Sequence, residues 1–331
     1  MHLVAEFSEF YVKRNSDISR SKAIISVIMP CYNSAPIIEE TITKLYQQTF
    51  RDFELIVVDD GSSDNSLQVL QNLAIQYSNL KIVSQHTKGP GPARNRGLEA
   101  ATGEFIAFLD SDDSWHPEFL AKLYHKLVAN PENVLAYCGW QNLGLNPEQC
   151  QPYIPPDYQE NDKLAVLLRS CPWPIHAAIT RKSAIEKVNG FNERWVTAED
   201  FDMWIRVAMF SKIARVPEVL AYYHHQPLTE NQISKNKLRT ILNHWHVQNE
   251  FIADYPDIIK NLGKDKIDEI TKGQLLNKAY DLYWTGDLIG AHHLFRKCFL
   301  IRYFDINDLK YIIPTILPAR IFELIIKKLR G

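Results

Sequence analysis

Short apolar runs alternate with segments of helical periodicity in the first third of the chain. The runs are rich in β-branched residues and end at polar or turn-forming residues; they cover residues 24–29, 53–58, 80–83 and 104–109. Between them, apolar residues recur at steps of three and four over residues 37–46, 66–76 and 93–101. Strands that alternate with helices predict an α/β fold with a largely parallel sheet and helices on both faces.

The pattern changes in the second half of the chain. Prolines are frequent over residues 147–174, which indicates a loop-rich insertion around a short helix. From about residue 235 the periodicity is helical almost throughout. We therefore predict an N-terminal extension of residues 1–23, a catalytic domain of residues 24–234 and a helical C-terminal region of residues 235–331.

The last segment, residues 318–331, has the pattern of an amphipathic helix. Its apolar face comprises Ile321, Phe322, Ile325, Ile326 and Leu329, and its polar remainder comprises Arg320, Glu323, Lys327, Lys328 and Arg330. Such a face either binds a membrane surface or docks onto the helices before it. We predict weak peripheral membrane contact through residues 318–331.

Composition and charge exclude several classes of protein. The formal net charge of −2 gives no general attraction for nucleic acid, so no nucleic-acid partner is expected. Five widely spaced cysteines form no CxxC pair, and residues 1–20 contain no apolar core of a signal peptide. These features predict a cytoplasmic protein, with the cytoplasmic face of the inner membrane as the candidate place of peripheral attachment.

Acidic residues follow two of the predicted strands. In sheets of this type ligands bind beyond the carboxyl ends of strands, where Asp60 and the group Asp110, Ser111 and Asp112 stand. Alternation along a strand predicts that Asp110 and Asp112 face one side and Ser111 the other. Two convergent carboxylates favour Mg²⁺ or Mn²⁺, with phosphate oxygens completing the shell, although acidic turns that merely cap helices are common.

The glycine-rich stretch at residues 89–97 does not match known nucleotide-binding loops. It lacks the GK[ST] ending of a P-loop, and no GxGxxG follows the first strand, which disfavours an ATPase or a nicotinamide enzyme. Its Arg94 and Arg96 are candidates for neutralising a diphosphate, or else they belong to a solvated start of a helix.

The combination of these motifs resembles glycosyltransferase family 2, whose members share the GT-A fold. The matching stretches are residues 26–33, 48–50, 53–64, 93–97, 103–113 and the later pair 199–200, so the resemblance covers about residues 24–225. It implies an inverting enzyme that uses a nucleotide-diphosphate sugar as donor.

The resemblance also implies roles for individual residues on the donor side. It assigns the nucleotide of the donor to Pro30, Tyr32, Asp60, Arg94 and Asp110. Asp112 would ligate Mn²⁺ or Mg²⁺, with Asp110 and His225 as further candidate ligands. The histidine register is blurred here, because His224 precedes His225 and Gln226 occupies one of the alignments.

On the acceptor side, the resemblance makes Asp200 the catalytic base. An inverting transfer needs a carboxylate beside the acceptor hydroxyl to take up its proton. Glu199, His176 and Trp173 are the other acceptor-side candidates. The alternatives are a helix start whose acidic residues interact with the dipole, a structural histidine, and a tryptophan packed in the core.

The resemblance further implies transfer of a hexose or N-acetylhexosamine from a UDP-linked donor to a saccharide or lipid-linked acceptor, in surface polysaccharide assembly. Two alternatives are a non-catalytic sugar-nucleotide-binding scaffold and a nucleotidyltransferase. The latter needs a basic glycine-rich loop after the first strand, which residues 30–33 do not resemble. A homodimer is a candidate assembly.

Overall fold

A computed structural model describes residues 23–160, 162–225 and 236–330. Within these ranges, eight strands form one sheet in the order β3-β2-β1-β4-β7-β6-β8-β5. The strands are β1 (Ile25–Cys31), β2 (Phe53–Asp59), β3 (Leu80–Ser84), β4 (Phe105–Phe108), β5 (Ser114–Trp115), β6 (Asn133–Leu143), β7 (Ala178–Arg181) and β8 (Lys212–His224).

Helices cover the sheet and continue to the end of the described chain. Those that accompany the sheet are α1 (Ile38–Leu45), α2 (Ser66–Gln76), α3 (Pro90–Ala100), α4 (Phe119–Val128), α5 (Lys163–Arg169), α6 (Lys182–Lys187) and α7 (Glu199–Ala208). Those that follow are α8 (Lys237–Asp254), α9 (Pro256–Ile259), α10 (Lys264–Asp268), α11 (Gln274–Thr285), α12 (Leu288–Leu300), α13 (Leu309–Ile312) and α14 (Ala319–Arg330). Short turns of other helical pitch cover Ile175–Ala177, Glu269–Gly273 and Ile313–Ile316.

The predicted α/β class and the four strands of the first third are confirmed. Strands β1 to β4 pair in parallel, and β2 is buried along its whole length, which explains its uninterrupted apolar character. The rest of the sheet is mixed, because β7 pairs antiparallel with both β4 and β6. The expectation of a largely parallel sheet holds for the first half, and in the second half β6 also pairs in parallel with β8.

The C-terminal helices pack around a second apolar core, and α8 contacts both cores. Val247 and Phe251 of α8 are buried with the residues of the sheet, whereas its Leu238 and Trp245 pack against the second core. The predicted start of this region at residue 235 falls outside the described residues, as do residues 1–22 of the predicted extension.

Helix α14 divides its predicted apolar face between two environments. Phe322 and Ile326 are buried in the second core, whereas Ile321, Leu324 and Ile325 are exposed. Docking onto the preceding helices therefore involves the side of α14 that carries Phe322 and Ile326. Membrane contact, the other interpretation, would involve its exposed side. Among the described residues, no helix is both long enough and apolar enough to cross a membrane.

The buried carboxylate of Glu54 connects strands β1, β2 and β3 with the loop before β4. Glu54 of β2 accepts hydrogen bonds from Ser26 Oγ at 2.6 Å and from the Thr102 backbone and hydroxyl, both at 2.7 Å. Lys81 of β3 lies 2.6 Å from its other oxygen. Burial alone would raise the pKa of Glu54, but the contacts with Lys81, Ser26 and Thr102 outweigh it and lower that pKa to about 2.

We predict that Glu54→Gln lowers the free energy of unfolding by about 3 kcal/mol at pH 7, since the pKa shift corresponds to roughly that energy. A lowered pKa stabilises the fold above the unfolded pKa of 4.5 and loses that effect as pH falls towards 2. The difference between wild type and variant should therefore shrink by about 1 kcal/mol between pH 6 and pH 4 in urea titrations.

The matched control is Glu104→Gln, which removes an exposed carboxylate paired with Arg181 at 2.8 Å. Such a surface pair contributes about 0–1 kcal/mol. A Glu54→Gln difference that does not change with pH would contradict the role given to the Glu54 charge.

Candidate functional site

A cleft of about 670 Å³ opens at the carboxyl ends of β1 and β2 and continues to the start of α7. The lining includes eight residues that the sequence predicts for the site: Pro30, Tyr32, Asp60, Arg94, Asp110, Asp112, Glu199 and Asp200. The structure thus brings the predicted donor side, the acidic turn and the predicted base into one cavity.

An exposed aromatic ring and a rigid turn form one end of the cleft. Tyr32 is 44% exposed, directly after the buried strand β1, so its ring is accessible for stacking on a planar group. The next residue, Asn33, has a φ of 50°, and its side-chain oxygen accepts a hydrogen bond from Ser63 N at 2.8 Å. This contact fixes the loop after β1 against the loop after β2.

Asp60 shapes the neighbouring wall. It is 4% exposed and accepts hydrogen bonds from Gln85 Nε2 at 2.7 Å, Lys88 N at 2.9 Å and Gly89 N at 2.8 Å. Three donors therefore hold the carboxylate in place and fix the loop that leads into α3. The Asp60 side chain also lines the cleft, where its carboxylate can accept a hydrogen bond from the N–H of a nucleobase.

Arg94 is the central ion of the site. Its side chain is buried, with Nη2 at 2.7 Å from Asp110 Oδ1 and Nη1 at 2.9 Å from Glu199 Oε1. Burial lowers the pKa of Arg94, but Asp110 and Glu199 raise it above its usual value. Gly97, one turn further along α3, permits this placement, because a Cβ there would clash with Ile28 of β1. Arg94 thus links the end of β4 to the start of α7.

The acidic residues after β4 form a turn and do not continue the strand. Strand β4 ends at Phe108, and Asp113 N donates to the Asp110 carbonyl at 3.1 Å. Strand alternation therefore does not apply to this turn: all three residues line the cleft, and the Ser111 hydroxyl lies 2.8 Å from the hydroxyl of the buried Ser34.

Asp112 carries an uncompensated charge in this turn. Burial, and then the charges of Asp113 and Asp110, raise the pKa of Asp112 to about 7. The ion pairs within the described part of the chain do not include Asp112. A half-buried carboxylate of this kind, next to a second one on the same turn, fits a divalent cation that the oxygens of a bound phosphate also ligate.

Glu199 and Asp200 open α7 on the opposite wall. Ala198 immediately before them has a φ of 70°, in a region that L-residues seldom occupy. Burial and the charge of Asp200 raise the pKa of Glu199, against the effect of Arg94. Asp200 Oδ1 accepts from Phe201 N at 2.7 Å, and its Oδ2 lies 3.7 Å from the Cys171 thiol. Asp200 therefore faces the cleft as a carboxylate with lone pairs to spare.

Two acceptor-side candidates lie behind the cleft wall. Trp173 is 1% exposed and stacks on Tyr137 with ring centroids 4.6 Å apart. His176 is fully buried, with Nδ1 at 2.9 Å from Asp113 Oδ2. Burial lowers the pKa of His176, but Asp113 raises it, and the net shift is upward. Neither side chain reaches the surface or lines the cleft: His176 contacts Asp113 of the acidic turn, and Trp173 packs in the core. Pro174 and Ile175 between them do line the cleft.

His225 is not brought to the acidic turn. Its backbone N–H donates to the Leu143 carbonyl at 2.8 Å, and its Nε2 lies 3.3 Å from Asn142 Oδ1, which holds it beside the end of β6. His224 contacts Ser114 Oγ through Nε2 at 2.8 Å. Throughout the described ranges, no three His, Cys, Asp or Glu side chains cluster as a metal site. The grouping of His225 with Asp110 and Asp112 therefore does not form.

Several lining residues were not predicted from the sequence. They are Cys31, Thr87, Ser111, Tyr223, Thr240 and His244. The last two lie on α8, beyond the motifs that indicated the site, and only the position of α8 reveals them. A helix that carries polar residues four apart on one face is too common a pattern to signal a site.

A comparison with known sequences identifies the family. The sequence model described as "Glycosyl transferase family 2" matches residues 26–187. A relative from Erwinia amylovora, the amylovoran biosynthesis glycosyltransferase AmsB, is 31% identical over 60% of this chain and 69% of its own. The Escherichia coli enzyme UDP-Glc:alpha-D-GlcNAc-diphosphoundecaprenol beta-1,3-glucosyltransferase WfgD is 28% identical over 70% of this chain and 87% of its own.

A solved structure supports the fold. The structure of S. aureus TarS 1-349 in complex with UDP-GlcNAc superposes with a TM-score of 0.58, at 20% identity, over 88% of this chain and 90% of that chain. The fold is therefore that of the GT-A glycosyltransferases, as the sequence motifs predict.

We predict that Arg94→Gln lowers the free energy of unfolding by about 3 kcal/mol, because it leaves the buried Glu199 and the partly buried Asp110 without their counter-ion. The double variant Arg94→Gln/Glu199→Gln should regain part of this loss, since it removes one of the unpaired charges. Urea unfolding at pH 7 measures both.

The control is Arg96→Gln, two residues along the same helix, where the arginine pairs with Glu99 at the surface. We expect a change within about 1 kcal/mol. Equal losses from Arg94→Gln and Arg96→Gln would show that the buried ion network does not stabilise the site.

Proposed function

The chain belongs to glycosyl transferase family 2 and is a glycosyltransferase of polysaccharide or glycoconjugate biosynthesis, and we propose that it is an inverting enzyme with a UDP-linked donor. The acceptor in this proposal is a hydroxyl group of a lipid-linked saccharide, which is the class of acceptor that the name of WfgD gives for that relative. Family membership disfavours the two alternatives, a non-catalytic scaffold and a nucleotidyltransferase.

The arrangement of carboxylates across one cleft carries the proposal. Asp60, Asp110 and Asp112 stand on the side of the strand ends, and Asp200 stands at the start of α7 on the far wall. An inverting transfer requires this division, because the acceptor hydroxyl attacks the sugar carbon from the side opposite the leaving group and the base lies beside that hydroxyl. We propose that the catalytic unit extends from residue 24 through β8, with α8 completing its far wall.

On the donor side, the Tyr32 ring would stack on the nucleobase, and the Asp60 carboxylate would accept a hydrogen bond from the nucleobase N–H. Asp112 would hold Mn²⁺ or Mg²⁺, with Asp110 beside it; when bound, the cation stabilises the charge that accumulates on the diphosphate. Because Asp110 is paired with Arg94, Arg94 acts on the donor through Asp110 and not by direct contact.

On the acceptor side, Asp200 is the proposed base. As the bond to the leaving diphosphate breaks and the sugar carbon develops oxocarbenium character, Asp200 accepts the proton of the attacking hydroxyl. Glu199 stays paired with Arg94, which fixes the helix start and keeps the neighbouring Asp200 directed into the cleft.

We expect Asp112→Ala and Asp200→Asn to separate binding from transfer. Asp112→Ala should abolish the Mn²⁺-dependent part of UDP binding, whereas Asp200→Asn should keep that binding within about twofold and lower transfer by roughly 10²–10⁴-fold. Calorimetry with a panel of nucleotides and nucleotide sugars, followed by assays of UDP release, gives both quantities.

Glu193→Gln is the control for both, since it removes an exposed carboxylate outside the cleft. Full transfer by Asp200→Asn would refute the base assignment while leaving the metal assignment intact. UDP binding that ignores Mn²⁺ and Mg²⁺ in the wild type would refute the metal assignment.

We also propose that the C-terminal helices attach the enzyme to an anionic membrane surface. Large apolar side chains are exposed here over a short stretch of chain: Ile306, Ile313, Ile316, Leu317, Ile321, Leu324 and Ile325. Residues 296–331 contain eight Lys or Arg and three Asp or Glu, a net charge of +5, whereas the whole chain carries −2. Apolar side chains flanked by basic ones suit a layer of anionic headgroups.

We predict that Ile316→Ser/Leu324→Ser lowers binding to vesicles containing phosphatidylglycerol by about tenfold or more, since each side chain contributes roughly 1.5–3 kcal/mol when buried. Flotation measures the bound fraction. Deleting residues 318–331 should lower it further, but that deletion also removes the buried Phe322 and Ile326.

The control variant is Ile75→Ser, which removes an equally exposed isoleucine from α2. Binding that is unchanged in the double variant, or equally strong on neutral vesicles, would rule out this surface.

A further inference from the structure

Helix α8 belongs to the C-terminal region in sequence, yet it forms part of the cleft. Thr240 and His244 of α8 line the same cavity as Asp200. They are four residues apart and therefore lie on one face of the helix. The wall of the cleft that carries the proposed base is thus built from two segments, the start of α7 and the first half of α8.

Contacts from two adjacent residues of α8 hold the helix in this position. The His244 ring stacks on Phe201, the residue after Asp200, with centroids 4.9 Å apart and an angle of 18° between the planes. Asn243 donates to Thr197 Oγ1 at 2.8 Å and to the Thr197 carbonyl at 3.2 Å, next to the strained Ala198. The placement of His244 beside Asp200 is therefore fixed by packing and by hydrogen bonds.

The chemistry of His244 suits a sugar hydroxyl. Burial and the charge of Lys278 lower the pKa of His244, against the opposing effect of Asp200, so the ring is neutral at pH 7. A neutral imidazole has one N–H donor and one acceptor nitrogen, and a sugar hydroxyl can pair with either. The hydroxyl of Thr240, which donates to the Asn236 carbonyl at 3.3 Å, keeps free lone pairs for the same ligand.

We propose that α8 forms the acceptor subsite, in which His244 binds a hydroxyl next to the one that Asp200 deprotonates. This inference rests on the proposed function, since it requires a saccharide acceptor on the Asp200 side. His244 contributes orientation: it holds the acceptor ring so that the reacting hydroxyl points to Asp200, and it takes no part in donor binding.

The test is the initial rate of UDP release at saturating donor and Mn²⁺, as a function of the concentration of a short-chain α-D-GlcNAc diphospholipid. We expect His244→Ala to raise the acceptor KM about tenfold while calorimetric UDP affinity stays within about twofold, as the loss of one hydrogen bond to the acceptor alone implies. His244→Gln, which keeps a donor and an acceptor, should recover most of the loss.

The matched control is His246→Ala, because His246 lies two residues further along α8 and outside the cleft. It should leave KM and UDP affinity unchanged. An acceptor KM within twofold of wild type in His244→Ala, an equal effect of His246→Ala, or a parallel loss of UDP affinity would overturn the proposal.

Thr240→Val gives an independent readout should His244→Ala fold poorly. We expect a threefold or larger rise in acceptor KM, and no change would overturn the subsite. If the wild type binds the diphospholipid without turning it over, the proposed acceptor fails as a substrate. In that case the Kd of the diphospholipid replaces its KM as the test: a higher Kd for His244→Ala than for the wild type supports the role of α8, and an unchanged Kd overturns it.

Discussion

The buried guanidinium of Arg94 is the interaction on which the geometry of the cleft depends. It pairs with Asp110 after β4 and with Glu199 at the start of α7, so it sets the distance between the two acidic walls. Since the carboxylates of the buried Glu199 and the partly buried Asp110 repel each other, a cation between them stabilises this arrangement. Arg94 thus fixes the positions of Asp110 and Glu199, and the other polar side chains that line the cleft remain available for substrates.

The donor half of the cleft could be predicted from the sequence because local rules determine it. Strands buried on both faces are continuous apolar runs, and residues at their carboxyl ends must lie at one edge of the sheet. Pro30, Tyr32, Asp60 and Asp112 follow from these two rules together with the family motifs. Strands β6 and β8 do not follow the same rules. Strand β6 has one buried run between partly buried ends, β8 mixes buried and exposed residues irregularly, and their pairing shifts register near Cys138 and Gly139.

Burial and direction of side chains could not be predicted at the same level. Trp173 and His176 come from a loop that the sequence places near the acceptor, but both side chains turn inward, where Tyr137 and Asp113 receive them. Arg94 follows the motif of a donor-binding residue and is used in an ion network. The contribution of α8 depends on a contact between segments about forty residues apart, and no periodicity in either segment encodes that contact.

The double packing of α8 has a consequence for how such an enzyme can diversify. The strand ends that carry Asp60 and Asp112 lie within the segment that the family shares, whereas Asp200, Thr240 and His244 lie beyond it. Substitutions on the cleft face of α8 alter one wall of the cavity without touching the sheet. On the proposed division of the cleft, a new acceptor specificity can arise by changes to a surface that the proposed nucleotide-binding half does not share, so the two specificities can evolve separately.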